Sequence, residues 1–446
     1  MKVISSYKVK ILHYNHIFDE TVSAYQKAVA FFLHVCEKEW TDIEPLKLKE
    51  RNNYMERLTI RTKRNPEPKY DFNQCCYKMP SYLRRAAIQD ALGDYSSYDS
   101  NHKNWVQNGR KGREPTLTYH RNTMPVLYKP HMFLRTDRLT ARIKVLHQKD
   151  WVWLEVVLRE QDIRYIEKHC KLDNMQSPKL KRQGKCWYLA FPFERNVIFT
   201  DVPIEERLIC AVDLGLNKNA VCSIMQNDGT VVARKFIDFP TEKDHLYKAL
   251  GRQKKARQHG NRKTPVLWKH VNDINREISR KTAKAIMEFA VLYNVDVIVF
   301  EHLDSNGKKR GRRKQRLALW RKQEIQRIVE HNAHKNGMRI SRICAWNTSR
   351  LAFDGSGYVE RGSFVQNGET KYNYSMCVFL NGKTYHCDLN ASYNIGARYF
   401  IRELLKSESV RKRLPAGAND LLYGTGTTRT LSTLIRLHAD LSTSCA

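Results

Sequence analysis

Three acidic residues in this 446-residue chain stand where an ionised side chain is costly unless something neutralises it. Asp213 closes the apolar run Cys210-Ala211-Val212, Glu301 directly follows Val297-Ile298-Val299-Phe300, and Asp388 precedes Leu389-Asn390-Ala391-Ser392-Tyr393-Asn394-Ile395, where a loop turns into a helix. Taken singly, each has an ordinary explanation: Asp213 and Glu301 as turn or salt-bridge residues, Asp388 as the cap of exposed helix amides. Together they are far less ordinary. Two carboxylates ending adjacent buried strands, with a third entering from a C-terminal helix, form the arrangement that holds two divalent ions about 3.5 to 4 Å apart for phosphodiester hydrolysis. One ion activates water while the other stabilises the leaving oxygen. Hard oxygen donors without Cys or His favour Mg²⁺ or Mn²⁺ over zinc. Asp213, Glu301 and Asp388 are therefore the expected catalytic, metal-holding residues.

The elements that must position these acids follow from hydrophobic patterning. Apolar segments at 208–214, 220–225 and 230–237, with a turn at Asn227-Asp228-Gly229, predict a three-stranded meander. A long helix over 265–293 and a buried strand over 295–300 continue it in the order of an α/β domain. Upstream, residues 3–11 alternate Tyr7, Val9 and Ile11 with Lys8 and Lys10, a strand pattern. Helical spacing over 18–40 puts Val22, Tyr25, Val29, Phe32, Leu33 and Cys36 on one face, and a second helix is predicted over 81–92. The polar stretch 94–116 reads as a loop. Strand signals at 141–146, 151–158 and 185–193 predict a small β-barrel over 125–205, which the N-terminal strand would close, leaving the helical region as an insertion. After 407 the chain is rich in Gly, Thr and Ser and reads as a partly ordered tail.

The 78 Lys and Arg against 46 Asp and Glu leave a net charge of +32, which calls for a polyanionic partner, and nucleic acid is the obvious one. No apolar run of about 20 residues could span a bilayer, no basic amphipathic anchor is present, and the N-terminus lacks a secretory signal, so a soluble cytoplasmic protein without a membrane partner is expected. Eleven cysteines, an odd number set largely in apolar runs (Cys36, Cys210, Cys222), read as reduced buried thiols. Basic stretches cover 252–263 and 308–321. Tyr128, Trp151, Trp153 and Trp187 are candidates for base stacking, although such residues more often belong to a core.

Three segments resemble the split RuvC motifs of the transposon-encoded TnpB endonucleases and the compact type V CRISPR effectors: Ala211-Val212-Asp213-Leu214-Gly215-Leu216-Asn217, Val297-Ile298-Val299-Phe300-Glu301-His302-Leu303, and Asp388 through Ile395. The likeness is clearest over residues 206 to 400. It implies a multidomain α+β chain with these boundaries: a first strand (1–14) of a wedge β-barrel, a helical recognition domain (15–120), the rest of the barrel (121–205), an RNase H-like (RuvC) α/β nuclease domain (206–345), an insertion that binds target nucleic acid (346–386), the third-motif helix (387–406) and the tail (407–446). It also implies a guide RNA, a double-stranded DNA target with a short flanking motif, Mg²⁺-dependent endonuclease activity, and a prokaryotic, nucleoid-associated setting when DNA is bound. Lys308, Lys309, Arg310, Arg312, Arg313 and Arg316 fall where the family has a lid over the cleft, and with Arg350 they are the expected nucleic-acid contacts.

One departure stands out. The family carries a four-cysteine zinc ribbon between the second and third acids, its first CxxC pair following a Thr-Ser. Here Thr348-Ser349 is followed by Ala352 and Gly355 where that pair would fall, and Cys377 is followed by Leu380, so only Cys377 keeps the register and no structural zinc is expected. The leading expectation is an RNA-guided DNA endonuclease. A guided binder that represses without cutting, or an unguided RNase H-like nuclease or transposase, are the alternatives. The residues leave open the oligomeric state and the choice between a transposon and a CRISPR context.

Overall fold

The structure, a computed structural model, describes residues 1–13, 16–119, 123–171, 173–199, 201–261, 263–302, 319–366, 369–406 and 423–443, with the backbone alone at 363–366, 369–372 and 443. The chain divides into two compact units, Lys2–Arg195 and, together with Met1, Asn196–Ala446.

In the first unit the chain's opening strand, β1 (Lys2–Leu12), is followed by four helices: α1 (Ile17–Ile43), α2 (Leu48–Thr59), α3 (Phe72–Cys75) and α4 (Ser81–Gln107). Then come β2 (Phe133–Arg135), β3 (Thr140–His147), β4 (Asp150–Leu158), α5 (Glu160–His169), β5 (Asn174–Met175), β6 (Lys179–Gln183) and β7 (Cys186–Asn196). The seven strands form one sheet in the order β2-β3-β4-β1-β7-β5, with β6 also on β7, so β1 is enclosed by strands more than 130 residues away in sequence. Its period-two pattern explains the placement: Val3, Val9 and Ile11 are buried while Lys2, Ile4 and Lys8 face out.

Helix α4 corrects one expectation. The stretch from 94 read as a loop, yet the helix runs to Gln107, because Tyr95 is buried against Trp40 of α1 (ring centroids 4.7 Å apart) and Asp99 pairs with Lys103 at 2.8 Å. The Ser and Asn residues there mark the wet face of a long helix rather than its end. Among the four aromatic candidates for stacking, Trp187 is core, 1% exposed and packed on Phe18, whereas Trp153 is 40% exposed.

In the second unit, β8 (Ile209–Asp213), β9 (Ala220–Met225) and β10 (Val231–Ile237) make the expected meander. Gly229 turns its hairpin at φ +91°, where a side chain would be strained. Next come α6 (Pro240–Gln258), α7 (Pro265–Leu292), β11 (Val297–His302), α8 (Lys322–Lys335) and β12 (Arg339–Cys344). The sheet order is β10-β9-β8-β11-β12, antiparallel across the meander and parallel from β8 through β11 to β12. A three-stranded sheet of β13 (Glu360–Gln366), β14 (Glu369–Val378) and β15 (Thr384–His386) precedes α9 (Cys387–Leu404), and α10 (Leu431–Thr443) ends the described chain.

Helices cover both faces of the five-stranded sheet, which is why its strands read as unbroken apolar runs. Cys210, Val212, Ile298 and Phe300 pack on the side of α7 and α8, with Ile286, Ile325 and Val329. Ile209, Ala211, Val297 and Val299 pack on the opposite side with Tyr393 and Phe400 of α9 and with Leu431, Leu434 and Leu437 of α10. The C-terminal stretch that read as an appendage thus supplies a core helix, its apolar spacing hidden among Thr and Ser. Residues 407–422 lie outside the described residues.

Helix α9 approaches the sheet closely because residue 396 is glycine: a Cβ there would lie 2.8 Å from the Met225 sulfur and 3.3 Å from the Ala211 Cβ. Gly396→Val is therefore expected to destabilise this unit by about 1–3 kcal/mol through overpacking. Urea unfolding followed by circular dichroism checks it, and a midpoint equal to wild type would contradict the close approach.

Candidate active site

The two strand acids are brought together by register. Val299 pairs with Ala211 and Phe300 with Val212 in the parallel β8–β11 ladder, so continuing by one residue sets Glu301 beside Asp213, with their backbones about 4.8 Å apart. Strand β11 extends through His302, so Glu301 lies within the strand rather than just after it. Because side chains alternate along a strand, Asp213 shares its face with Ile209 and Ala211, and Glu301 shares its face with Val297 and Val299. That is the face on which α9 lies, and Asp388 belongs to the first turn of α9.

The ordinary explanation of Asp388 as a helix cap does not hold. The cap is His386, whose ring Nδ1 accepts from the Asp388 amide at 3.2 Å, leaving the Asp388 carboxylate for other work. The loop after β8 folds against it: a Cβ on Gly215 would fall 2.8 Å from the Lys218 carbonyl oxygen and 3.7 Å from Asp388 Oδ2. A cavity of about 270 Å³ opens there, lined by Gly215, Leu216, Asn217, Trp320, Arg361 and Asp388, together with Tyr374 and Ser375 of β14.

The proximity of the acids has an electrostatic consequence. Burial, then the charges of Glu301 and Asp388, push the Asp213 carboxyl well above the usual carboxylate range, opposed by Arg361. Burial also raises Glu301, opposed first by the Thr348 hydroxyl and then by Arg398 and Lys322. Asp388 is raised by burial against the pull of His386, Arg361 and Lys218. Among the described residues, neither Asp213 nor Asp388 has a hydrogen-bonded side-chain partner to offset this cost.

Sequence reasoning did not identify what holds Glu301. Thr348, 2% exposed, turns its hydroxyl onto the Glu301 carboxylate, and Gln326 of α8 donates to the Glu301 carbonyl at 3.0 Å. Thr348 is in turn fixed by α9. Asn394 donates 2.9 Å bonds to the carbonyls of Thr348 and Leu351, Asn390 bonds Leu351 and Phe353, and Arg398 reaches the carbonyls of Cys344 and Trp346 at 3.0 and 2.7 Å. These three residues are spaced by four and so line one face of α9. The same helix therefore carries Asp388 and anchors the loop that orients Glu301. Asn390 and Asn394 were visible in the third motif, but nothing in the sequence showed that their partners are main-chain groups of residues 348–353.

The chemistry of the site suits a hard divalent cation: clustered carboxylate oxygens, withdrawn from water and repelling one another. Their placement is looser than a finished ligand set, for among the described residues no three His, Cys, Asp or Glu side chains stand close enough together to hold a metal ion. Of the expected nucleic-acid contacts, Arg350 is exposed beside Thr348 and has no ion-pair partner among the described residues. Lys308, Lys309, Arg310, Arg312, Arg313 and Arg316 lie outside the described residues.

In the insertion, Ala352, Cys377, Phe379 and Cys387 form a small buried cluster, so Ala352 and the one cysteine that keeps the zinc-ribbon register meet in an apolar contact. None of the ten cysteines among the described residues forms a disulfide. Among the described residues, no helix is long and apolar enough to cross a membrane.

The Aq_aa04 family model matches residues 5–147. The uncharacterized protein aq_aa04 of Aquifex aeolicus (strain VF5) is 31% identical over 156 residues, 30% of this chain and 86% of that protein. The TnpB-like protein aq_aa05 of the same organism is 25% identical over 246 residues, 49% of this chain and 76% of that protein. Among solved structures, a Cas12f1 in complex with sgRNA and target DNA superposes with a TM-score of 0.52 at 16% identity, covering 85% of this chain and 81% of the other. The relative of which this chain covers 86% shows the family: the chain belongs to the Aq_aa04 family and is a TnpB-like protein with the fold of the compact type V CRISPR effectors.

Proposed function

We propose that this chain is an RNA-guided DNA endonuclease in which Asp213, Glu301 and Asp388 are the catalytic carboxylates. The observation that carries the reading is the meeting of these three on one face of the sheet, two on adjacent parallel strands and one on the first turn of α9, each with its carboxyl held above its ordinary pKa. The TnpB-like relative and the Cas12f1 fold support guided action on DNA, and the +32 charge suits an RNA partner as well as a DNA target.

Held by these carboxylates, two Mg²⁺ or Mn²⁺ ions would supply the positive charge that activates water and stabilises the leaving oxygen. The protein's own part is to bring the three acids to close range and orient them, in surroundings that oppose their ionisation until cations offset it. Thr348 restricts the rotation of the Glu301 carboxylate, and the tight turn at Gly215 leaves room over Asp388 for a scissile phosphate. Arg361, beside both aspartates, is placed to receive that phosphate's charge. In the first unit, we read the sheet containing β1 as the wedge, with α1 to α4 as the recognition insertion that holds guide RNA.

A guided binder that does not cut is the competing reading, favoured by the incomplete convergence of the acids. Purifying the protein with the RNA from its own locus and challenging it with a matching plasmid library in Mg²⁺ separates the two. Guide-dependent cutting that is lost in Asp213→Ala supports the endonuclease, whereas binding without cutting supports the repressor.

Two further outcomes follow from the geometry. Thr348→Val keeps the shape but removes the donor to Glu301, so cutting should fall about 10–100-fold, with Thr348→Ser recovering most of it. Equal rates for Val and wild type would remove Thr348 from the site. Because the Asp213 carboxyl is raised in the folded state, its ionisation opposes folding once the pH exceeds its unfolded value, and the cost vanishes in acid. At neutral pH with EDTA, Asp213→Asn should therefore melt above wild type. At pH 4 the difference should shrink, and a lower melting point at both pH values would show that Asp213 is structural.

A further inference from the structure

A second cavity, of about 280 Å³, adjoins the cleft and shares Gly215, Leu216 and Trp320 with it. It lies between α6 and α7, with a floor of Leu250, Ile278 and Ile325. Its size is at the small end of ligand sites, which run about 300–1,000 Å³, and suits one planar ring system better than an extended molecule.

The polar groups around it are specific. Asn219 is 8% exposed and lines the cavity; its Oδ1 accepts from the Phe239 amide at 3.2 Å, and its Nδ2 has no partner among the described residues. Asp244, on the first turns of α6, is exposed and without an ion-pair partner among the described residues. One turn along, Tyr247 is 79% exposed, an aromatic ring left in water beside a cavity that also exposes Trp320. Beyond it α6 carries Lys248, Arg252, Lys254, Lys255 and Arg257, all exposed and none with an ion-pair partner among the described residues.

We propose that this cavity binds one unstacked nucleobase bearing an exocyclic amino group, from the DNA strand that enters the cleft. The proposal rests on the nuclease reading above. An aromatic surface beside a run of free cations is what a single strand needs, bases on rings and phosphates on charges. The free carboxylate accepts from an exocyclic amino group while the free Asn219 amide donates to a ring nitrogen or carbonyl, a pairing that cytosine, adenine and guanine satisfy, whereas thymine offers the carboxylate only a ring N3–H flanked by two carbonyl oxygens that repel it. Because the two cavities share Gly215, Leu216 and Trp320, a strand anchored here leads directly to the cleft lined by Asp388 and Arg361. Single-stranded substrate suits such a pocket, because no base pair has to be broken to fill it.

The test uses the full chain carrying Asp213→Asn, so that binding is measured without cutting, and labelled oligo-dC and oligo-dT of equal length. Oligo-dC should bind severalfold more tightly than oligo-dT. Tyr247→Ala should weaken oligo-dC binding about tenfold without changing the slope of log affinity against log salt, because it removes a stacking contact and no phosphate contact. Asp244→Ala should abolish the preference for dC. Both side chains are exposed, so neither change threatens folding. Equal affinity for the two oligonucleotides, no binding at all, or a Tyr247→Ala protein that binds like its parent each overturns the proposal. The nuclease reading fails separately, if wild type with its guide does not cut.

Discussion

Three carboxylates kept together out of water repel one another, and the second unit is organised around holding them there. Two are fixed by the hydrogen-bond ladder between β8 and β11, which sets their separation without any side-chain interaction. The third comes from a helix, whose position has to be enforced by packing. Gly396 allows that packing at a distance no other residue permits, and Met225 and Ala211 form the surface that receives it. The strain of mutual repulsion is local, while the burial that opposes it spans both faces of the sheet.

Helix α9 does more than deliver Asp388. Its stripe of Asn390, Asn394 and Arg398 satisfies main-chain carbonyls that the loop after β12 would otherwise leave unpaired, and its Arg398 also takes the carbonyls of Thr427 and Arg429 ahead of α10. Burial lowers the Arg398 guanidinium to about 10, a measure of how far it is withdrawn from water. The loop so pinned carries Thr348, and Thr348 orients Glu301. The acids are thus linked through one helix: a shift of α9 moves Asp388 directly and Glu301 through two hydrogen bonds.

The meander, the long helix α7 and all three acids were legible in the sequence, because buried strands written as apolar runs leave a terminal carboxylate conspicuous. The first strand's place in a sheet formed mostly after residue 130 followed from its alternation of Lys with apolar residues. Other parts were hidden for identifiable reasons. The second half of α4 has the composition of a loop because only Tyr95 and its neighbours touch the core. Helix α10 is written in Thr, Ser and Leu, and its Leu spacing carries meaning only once α9 is present to receive it. Thr348 was noticed as part of a pattern, but its role depends on a contact across 47 residues that no local signal encodes. The Asp388 helix cap was misassigned by two residues because His386, an uncommon cap, takes the position.

The polar stripe of α9 also sets what this lineage is free to alter. The three-stranded sheet over 360–386 joins the core through a neck whose carbonyls are claimed by Asn390, Asn394 and Arg398, residues that belong to the core and not to the sheet. Substitution within the sheet is therefore insulated from Glu301 by a boundary of main-chain bonds. A module tethered in this way can be remodelled at its far end, away from Arg361 and Ser375 at the cleft, without moving the strands and helix that carry the three carboxylates.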